Sequence, residues 1–270
     1  MSRKLQKPFL KWIGGKTQII NSIIERFPPE INNYYEPFVG GGSVLLALLT
    51  LQQRGTVVIT GTIHASDINP VLINVYKHVQ KNSKLLYTFI TFYISEYDGI
   101  TGTVVNRKAE SIEEAKSSKE SYYYWIRKKF NEMKNNETKK QVECSALFMF
   151  LNKTCFRGMY REGPNGYNVP YGHYKKTPTI ITESNLGAIS RLIKDVVFTC
   201  SGFNIQAAIP GDFVYLDPPY APETKTSFVK YTKHGFGLEK HEELFSAIKK
   251  IHEKDVKFCM SNSKVSLVLD

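Results

Sequence analysis

Apolar positions along the chain fall into two alternating rhythms. Ile19, Ile20, Ile23, Ile24 and Phe27 share one helical face, which Pro28-Pro29 closes. A second, almost continuous helical run, Val44 to Leu51, is reached through Tyr34-Tyr35-Glu36-Pro37-Phe38-Val39 and three consecutive glycines. Val57 to Asp67 is an apolar, strand-like stretch, Val71 to Tyr97 is helical by spacing, and Gly99 to Ser118 reads as a flexible polar loop. Helices are expected around Tyr122 to Met133 and at Ser145 to Asn152. The pair Asn165-Gly166 signals a hairpin turn, and another helix follows at Leu186 to Lys194. Val196 to Cys200 and Phe213 to Leu216 read as buried strands, Glu239 to Ile251 as a helix, and Phe258 begins a strand that ends in Ser261-Asn262-Ser263. Strands alternating with helices predict an α/β fold with a nucleotide-binding type of sheet.

Composition narrows the classes. The chain has 270 residues, 42% hydrophobic and 13% aromatic, which suits a packed core with room for an inserted domain. A net charge of +11 favours a polyanionic partner, a weak signal when taken alone. Cys144, Cys155, Cys200 and Cys259 form no Cys-x-x-Cys pair, and the histidines form no ligand cluster, so reduced thiols and no metal are expected. Basic residues near the N-terminus precede no apolar h-region, and no apolar run approaches membrane-spanning length. A soluble, unsecreted protein, cytoplasmic or nucleoid-associated, is the expectation.

Four stretches carry candidate chemistry. Asp217-Pro218-Pro219-Tyr220 directly follows a predicted strand, putting a carboxylate, a rigid kink and an aromatic face where open α/β sheets bind ligands. Alone, the tetrapeptide equally fits an Asp-Pro turn with Tyr220 as surface cover. Lys11-Trp12-Ile13-Gly14-Gly15-Lys16 leads into a helix and suits an anionic group, or is a simple glycine turn. The glycines after Val39 lack the Gly-x-Gly-x-x-Gly spacing of a dinucleotide site, while Asp67 stands where a carboxylate grips a ribose, or caps the next helix. Finally, Arg157, Arg161, His173, Lys175 and Lys176 surround the Asn165-Gly166 turn among aromatics, as in a ribbon that enters a DNA groove or a solvated basic hairpin.

Taken together and in this order, these stretches resemble the Dam-type (alpha-group, D12 class) DNA adenine-N6 methyltransferases. The matching residues are Lys11 to Lys16, Tyr35 to Gly42, Asp67-Ile68-Asn69, Asn168 to Gly172 and Asp217 to Pro222, with Phe228, Tyr231, Phe236 and Ser261-Asn262. The resemblance implies a Rossmann-like mixed sheet of the S-adenosylmethionine-dependent methyltransferase type, at residues 1–75 and 186–270. A mostly helical target-recognition insert carrying a β-hairpin would span residues 76–185. S-adenosyl-L-methionine would lie against Trp12, Lys16, Phe38, Gly40, Gly42, Asp67, Ile68, Phe203 and Asp217. Asp217 and the Pro218 carbonyl would accept hydrogen bonds from N6 of a flipped adenine in double-stranded DNA, with Pro219 shaping the turn and Tyr220 stacked on the base. Lys11 and Arg161 would read guanines, Met159 and Pro170 would make apolar contacts, Phe156 would wedge into the gap, and Arg157, His173, Tyr174, Lys175 and Lys176 would complete the DNA surface.

The sequence departs from that family at Arg157, where Asn is usual, and at Met159, where Leu is usual. The target expected is therefore GATC or a related short site. The family also continues past Ser261-Asn262 through a helix and a terminal hairpin, so the expectations are a short form or a sheet completed by a second chain. Two alternatives remain, a cofactor-holding but inactive DNA-binding subunit and an N4-cytosine methyltransferase. The latter more often begins the tetrapeptide with Ser or Asn.

Overall fold

The computed structural model describes residues 4–133, 137, 141–220 and 236–263. In chain order these form α1 (Ile20–Ile24), β1 (Glu30–Ile31), β2 (Tyr34–Glu36), α2 (Ser43–Gln53), β3 (Val58–Ile59), β4 (Ile63–Asp67), α3 (Pro70–Lys81) and α4 (Ser83–Asp98). Next come α5 (Ile112–Ala115), α6 (Lys119–Glu132), α7 (Val142–Thr154), β5 (Glu162–Gly163), β6 (Gly166–Tyr167), α8 (Glu183–Leu192), β7 (Val196–Cys200), β8 (Phe213–Leu216), α9 (Leu238–Glu253) and β9 (Lys257–Met260).

Five strands make the central sheet in the order β7-β4-β2-β8-β9, and every described pairing in it is parallel. Because they run the same way, Glu36, Asp67 and Leu216 end at one edge. From β2 the chain builds outward to β4 on one side and returns on the other side with β8. The reversal leaves a crevice between β2 and β8 at that edge. All four residues of β8 are buried, as its unbroken apolar run requires. β7 is different: it is an edge strand, with Val197, Thr199 and Cys200 facing outward, so its apolar run is only half buried.

Other boundaries moved for local reasons. The stretch Val57 to Asp67 divides at Thr60-Gly61-Thr62, and only its second half joins the central sheet, while β3 pairs with β1. The long helical region breaks at Asn82, whose φ of −130° and ψ of 29° end α3 and start α4. The Gly99 to Ser118 loop is not loose. Asn106 donates its backbone N–H to Ser121 Oγ at 2.7 Å, Thr103 bridges Ser118, and Ala109 and Ala115 are buried, the latter in α5. Several of its polar groups bond to one another, among them Lys108 N–H to Asn106 Oδ1 at 3.0 Å and Glu110 N–H to Glu114 Oε2 at 3.0 Å.

The region between α3 and α8 packs round tyrosines. Tyr93, Tyr97, Tyr122, Tyr123 and Tyr167 are buried, so the aromatics of α6 dock inward and do not face outward as a patch. A buried hydroxyl needs a partner: Tyr123 donates to Val169 O at 2.8 Å and Tyr167 to Met159 O at 3.1 Å, while Tyr93 bonds the Glu143 carboxylate and Tyr97 the Tyr171 hydroxyl. The hairpin β5–β6 forms, but its tight turn is Pro164-Asn165, with Gly163 paired to Gly166. Gly166 alone there takes a positive φ, +90°, which suits a turn followed by a glycine bulge rather than the mirror-image turn that Asn165-Gly166 signals.

Candidate functional site

At the carboxyl edge of the sheet a cavity of about 1320 Å³ opens between the segment 12–16, the glycine turn after β2, the end of β8 and α9. Asp217 and Lys16 meet across it, Nζ to Oδ2 at 2.7 Å, with side chains only 19% and 7% exposed. Lys16 also donates to Gly14 O, and its Nζ sits 5.1 Å from the centroid of the Tyr220 ring. Burial raises the Asp217 carboxyl pKa above its ordinary value, and the Lys16 hydrogen bond and charge oppose that rise. Beneath them Glu36 is buried at the end of β2 and accepts from Tyr34 OH at 2.7 Å. Burial, with a smaller push from the Asp217 charge, raises Glu36 to about 8, so near neutrality it keeps its proton.

The glycine turn is held on three sides. Gly40 (φ +47°) donates its N–H to Asp67 Oδ2 at 3.1 Å and accepts from Tyr76 OH at 2.8 Å. A Cβ on Gly40 or Gly41 would lie 2.9 Å from the Trp12 side chain. Gly42 (φ +73°) lies behind the turn, away from the cavity, where a Cβ would come within 2.6 Å of Tyr76 Oη. Asp67 also accepts from Asn69 N at 2.9 Å, and burial raises its pKa despite those donors. It does not cap α3. That is done by Asn69, whose Oδ1 accepts from Val71 and Leu72 N–H at 3.0 and 3.1 Å. Phe38, Phe203 and Phe236 close the far wall, their centroids 5.7 to 5.9 Å apart, and Ile68 stands exposed at the rim.

The basic hairpin adjoins this cavity through two consecutive residues. Trp12 stacks on Tyr160 at 5.8 Å, while Lys11 is fixed on the other side. Asn152 of α7 accepts from Lys11 N at 2.8 Å and donates to Lys11 O at 2.7 Å, gripping both backbone groups. Lys11 Nζ donates to Tyr174 OH at 2.9 Å and lies 4.6 Å over that ring. Phe156 is 43% exposed in a tight 3-10 turn, and Arg157 beside it takes the left-handed conformation (φ 55°) with its guanidinium 5.0 Å from the Phe156 ring. Arg161 donates from Nε to Asn168 Oδ1 at 2.7 Å and remains exposed, as do Pro170, Lys175 and Lys176, whereas Met159 is half-buried. His173 Nδ1 lies 3.7 Å from Glu120, which Arg107 also engages.

Residues 12–270 match the family model of the D12 class N6 adenine-specific DNA methyltransferases. The chain belongs to that family. It is 40% identical over 266 residues to the type II methyltransferase M.MjaIII of Methanocaldococcus jannaschii, covering 95% of this chain and 84% of that one. It is 32% identical over 264 residues to a DNA adenine methylase of Vibrio cholerae (96% and 82% covered), and 31% identical over 261 to that of Haemophilus influenzae (95% and 79%).

Methyltransferases of this family use S-adenosylmethionine as methyl donor. The cavity suits it: a half-buried carboxylate at Asp67 for a diol, an aromatic wall for a purine, and the tight Gly40-Gly41 turn that admits no side chain. Its volume exceeds the ~300–1,000 Å³ of a typical single-ligand site. Among the described residues no group of three or more His, Cys, Asp or Glu could hold a metal, and no helix is long and apolar enough to cross a membrane. Phe228 and Tyr231 lie outside the described residues. Sequence reasoning missed three residues of this methyltransferase site: the protonated Glu36, the clamp Asn152 and the buried His241. Glu36 sat inside a quoted motif, but nothing in spacing marks a carboxyl as buried.

Proposed function

We propose that this methyltransferase transfers a methyl group to N6 of an adenine flipped out of double-stranded DNA, within GATC or a related short site, and that Asp217 to Tyr220 is the reacting end of the cavity. The observation that carries the reading is the Lys16–Asp217–Tyr220 arrangement, a carboxylate and an aromatic face already engaged by a cationic amine. An adenine N6 amine and ring in place of Lys16 Nζ would meet the same two groups.

S-adenosylmethionine, when bound, supplies an electrophilic methyl on a sulfonium. The N6 lone pair is delocalised into the ring, so the amine attacks only when acceptors draw it toward tetrahedral geometry. Asp217 and the Pro218 carbonyl are the acceptors, and Tyr220 offsets part of the roughly few kcal/mol cost of extrusion by stacking. Alignment and electrostatics in a water-poor pocket then carry the rate. The proton released from N6 leaves through the Asp217 side of the site.

Residues 76–185 serve as the recognition insert and residues 1–75 with 186–270 as the catalytic domain. Lys11 and Arg161 read guanines, Phe156 fills the vacated stack, Met159 and Pro170 make apolar contacts, and Arg157, His173, Tyr174, Lys175 and Lys176 support the backbone. Trp12, Lys16, Phe38, Gly40, Asp67, Ile68 and Phe203 line the cofactor side. The test is transfer of labelled methyl to duplexes with and without GATC. Labelled N6-methyladenine confined to GATC duplexes and abolished by Asp217→Ala supports the reading in full. Label in duplexes lacking GATC overturns the target site and keeps the chemistry.

A further inference from the structure

His241 is fully buried in the first turn of α9, outside every motif that marks the site. Its Nε2 lies 3.1 Å from the Pro219 carbonyl oxygen and its Nδ1 3.0 Å from that of Gly237, while Phe236 packs edge-on against the ring at 4.7 Å. Both partners are carbonyls, which only accept, and a neutral imidazole has one N–H to give. Gly237 O already accepts the His241 backbone N–H at 3.1 Å, and the proposed tautomer is the one whose Nε2–H donates to Pro219 O.

Among the described residues the loop it holds has few other backbone handles. Pro218 and Pro219 have no backbone N–H, so between Asp217 and Tyr220 the chain has no backbone donor of its own. The last strand carbonyl, Leu216 O, is taken by Ser261 N at 2.8 Å. In the proposed reaction the Pro218 carbonyl belongs to the substrate. The Pro219 carbonyl is the handle that remains next to Tyr220, and His241 occupies it.

We propose that His241 is a positioning residue: its hydrogen bond to Pro219 O fixes the Pro219–Tyr220 peptide against α9, and so aims the Pro218 carbonyl and the Tyr220 ring at the target base. This rests on the reading of Asp217 to Tyr220 as the methyl-transfer end of the cavity. His241 touches no reacting atom. It acts because a misplacement of about 1 Å in such a site lowers the rate by about 100-fold.

The experiment compares His241→Met, which keeps the length and loses the donor, with His241→Gln, which keeps a donor at the same reach, in steady-state methylation of a duplex substrate. With Met, kcat falls about 10- to 100-fold while KM for S-adenosylmethionine stays within about threefold; with Gln, kcat returns to within about threefold of wild type. Equal kcat for the two variants, or a Met variant with unchanged kcat, overturns the proposal, as does a loss confined to KM. Should the Met variant fail to fold, His241→Phe, which keeps the ring packing against Phe236, is read by the same criteria. Asp217→Ala is assayed alongside: an active Asp217→Ala enzyme sinks the site reading itself, whereas an inactive one with active His241→Met sinks only the role of His241.

Discussion

Lys16 Nζ stands 2.7 Å from Asp217 Oδ2. Burial raises the carboxyl pKa, and the Lys16 hydrogen bond and charge oppose that rise. Removing that charge in Lys16→Met moves the Asp217 pKa further upward, and the acid limb of the kcat–pH profile moves to higher pH with it. At neutral pH the expected loss is at least about tenfold, the scale of a lost preorganised charge. A kcat–pH profile with an unmoved acid limb speaks against the coupling.

Glu36 predicts a pH-dependent stability. Its pKa rises from 4.5 to about 8 on folding, so between those values the unfolded state has lost the proton and the folded state still holds it. Stability contributed by the protonated acid is therefore full below pH 4.5, declines as pH rises toward 8, and levels off above it. Glu36→Gln keeps an acceptor for Tyr34 OH and removes the titration. Thermal unfolding of that variant should change less between pH 5 and 8 than that of the wild type by roughly 1–3 kcal/mol. Parallel curves for the two proteins would refute the assignment.

The glycine turn tolerates no side chain at Gly42. An alanine there adopts φ +73° and drives Cβ to 2.6 Å from Tyr76 Oη. Gly42→Ala should lose on the order of 1–3 kcal/mol in chemical denaturation. Tyr76→Phe, which removes only the hydrogen bond to Gly40 O, should lose about 1 kcal/mol. A Gly42→Ala protein as stable as the parent would mean the turn relaxes freely.

For DNA, two kinds of variant should separate. Arg161→Ala relaxes discrimination at one base pair by about 1–3 kcal/mol, as a base-reading arginine does. Lys175→Ala and Lys176→Ala weaken binding to all sequences alike and lower the salt slope by about one each. Titrations at several salt concentrations on matched and mismatched duplexes distinguish these outcomes.

Much of this was legible before any coordinates. The buried run Phe213 to Leu216 could only be a central strand, and the proline pair after it had to end at the sheet's binding edge. The three glycines and Asp67 announced a βα turn and its neighbouring carboxylate. What spacing missed depends on contacts far apart in sequence. Nothing local says that Asn69, not Asp67, caps α3, because both are good caps and only the Gly40 amide claims Asp67. The loop before α6 looked loose because its polar residues gave no period, although they bond to one another. His241 and Asn152 each serve a backbone group more than twenty residues away, and a single sequence carries no trace of such a pairing.

Lys11 and Trp12 divide their work across one peptide bond: Asn152 locks the first to α7, and the second forms a wall of the glycine turn. In the proposed reading, the two guanine readers therefore differ in how freely they can be exchanged. A hairpin transplanted from a relative can bring a new side chain to the place of Arg161 while the methyl-donor pocket stays intact. The base read by Lys11 has no such independence, since any segment that replaces it also rebuilds the cofactor wall. Specificity in this chain should thus drift readily at one end of its target and stay fixed at the other.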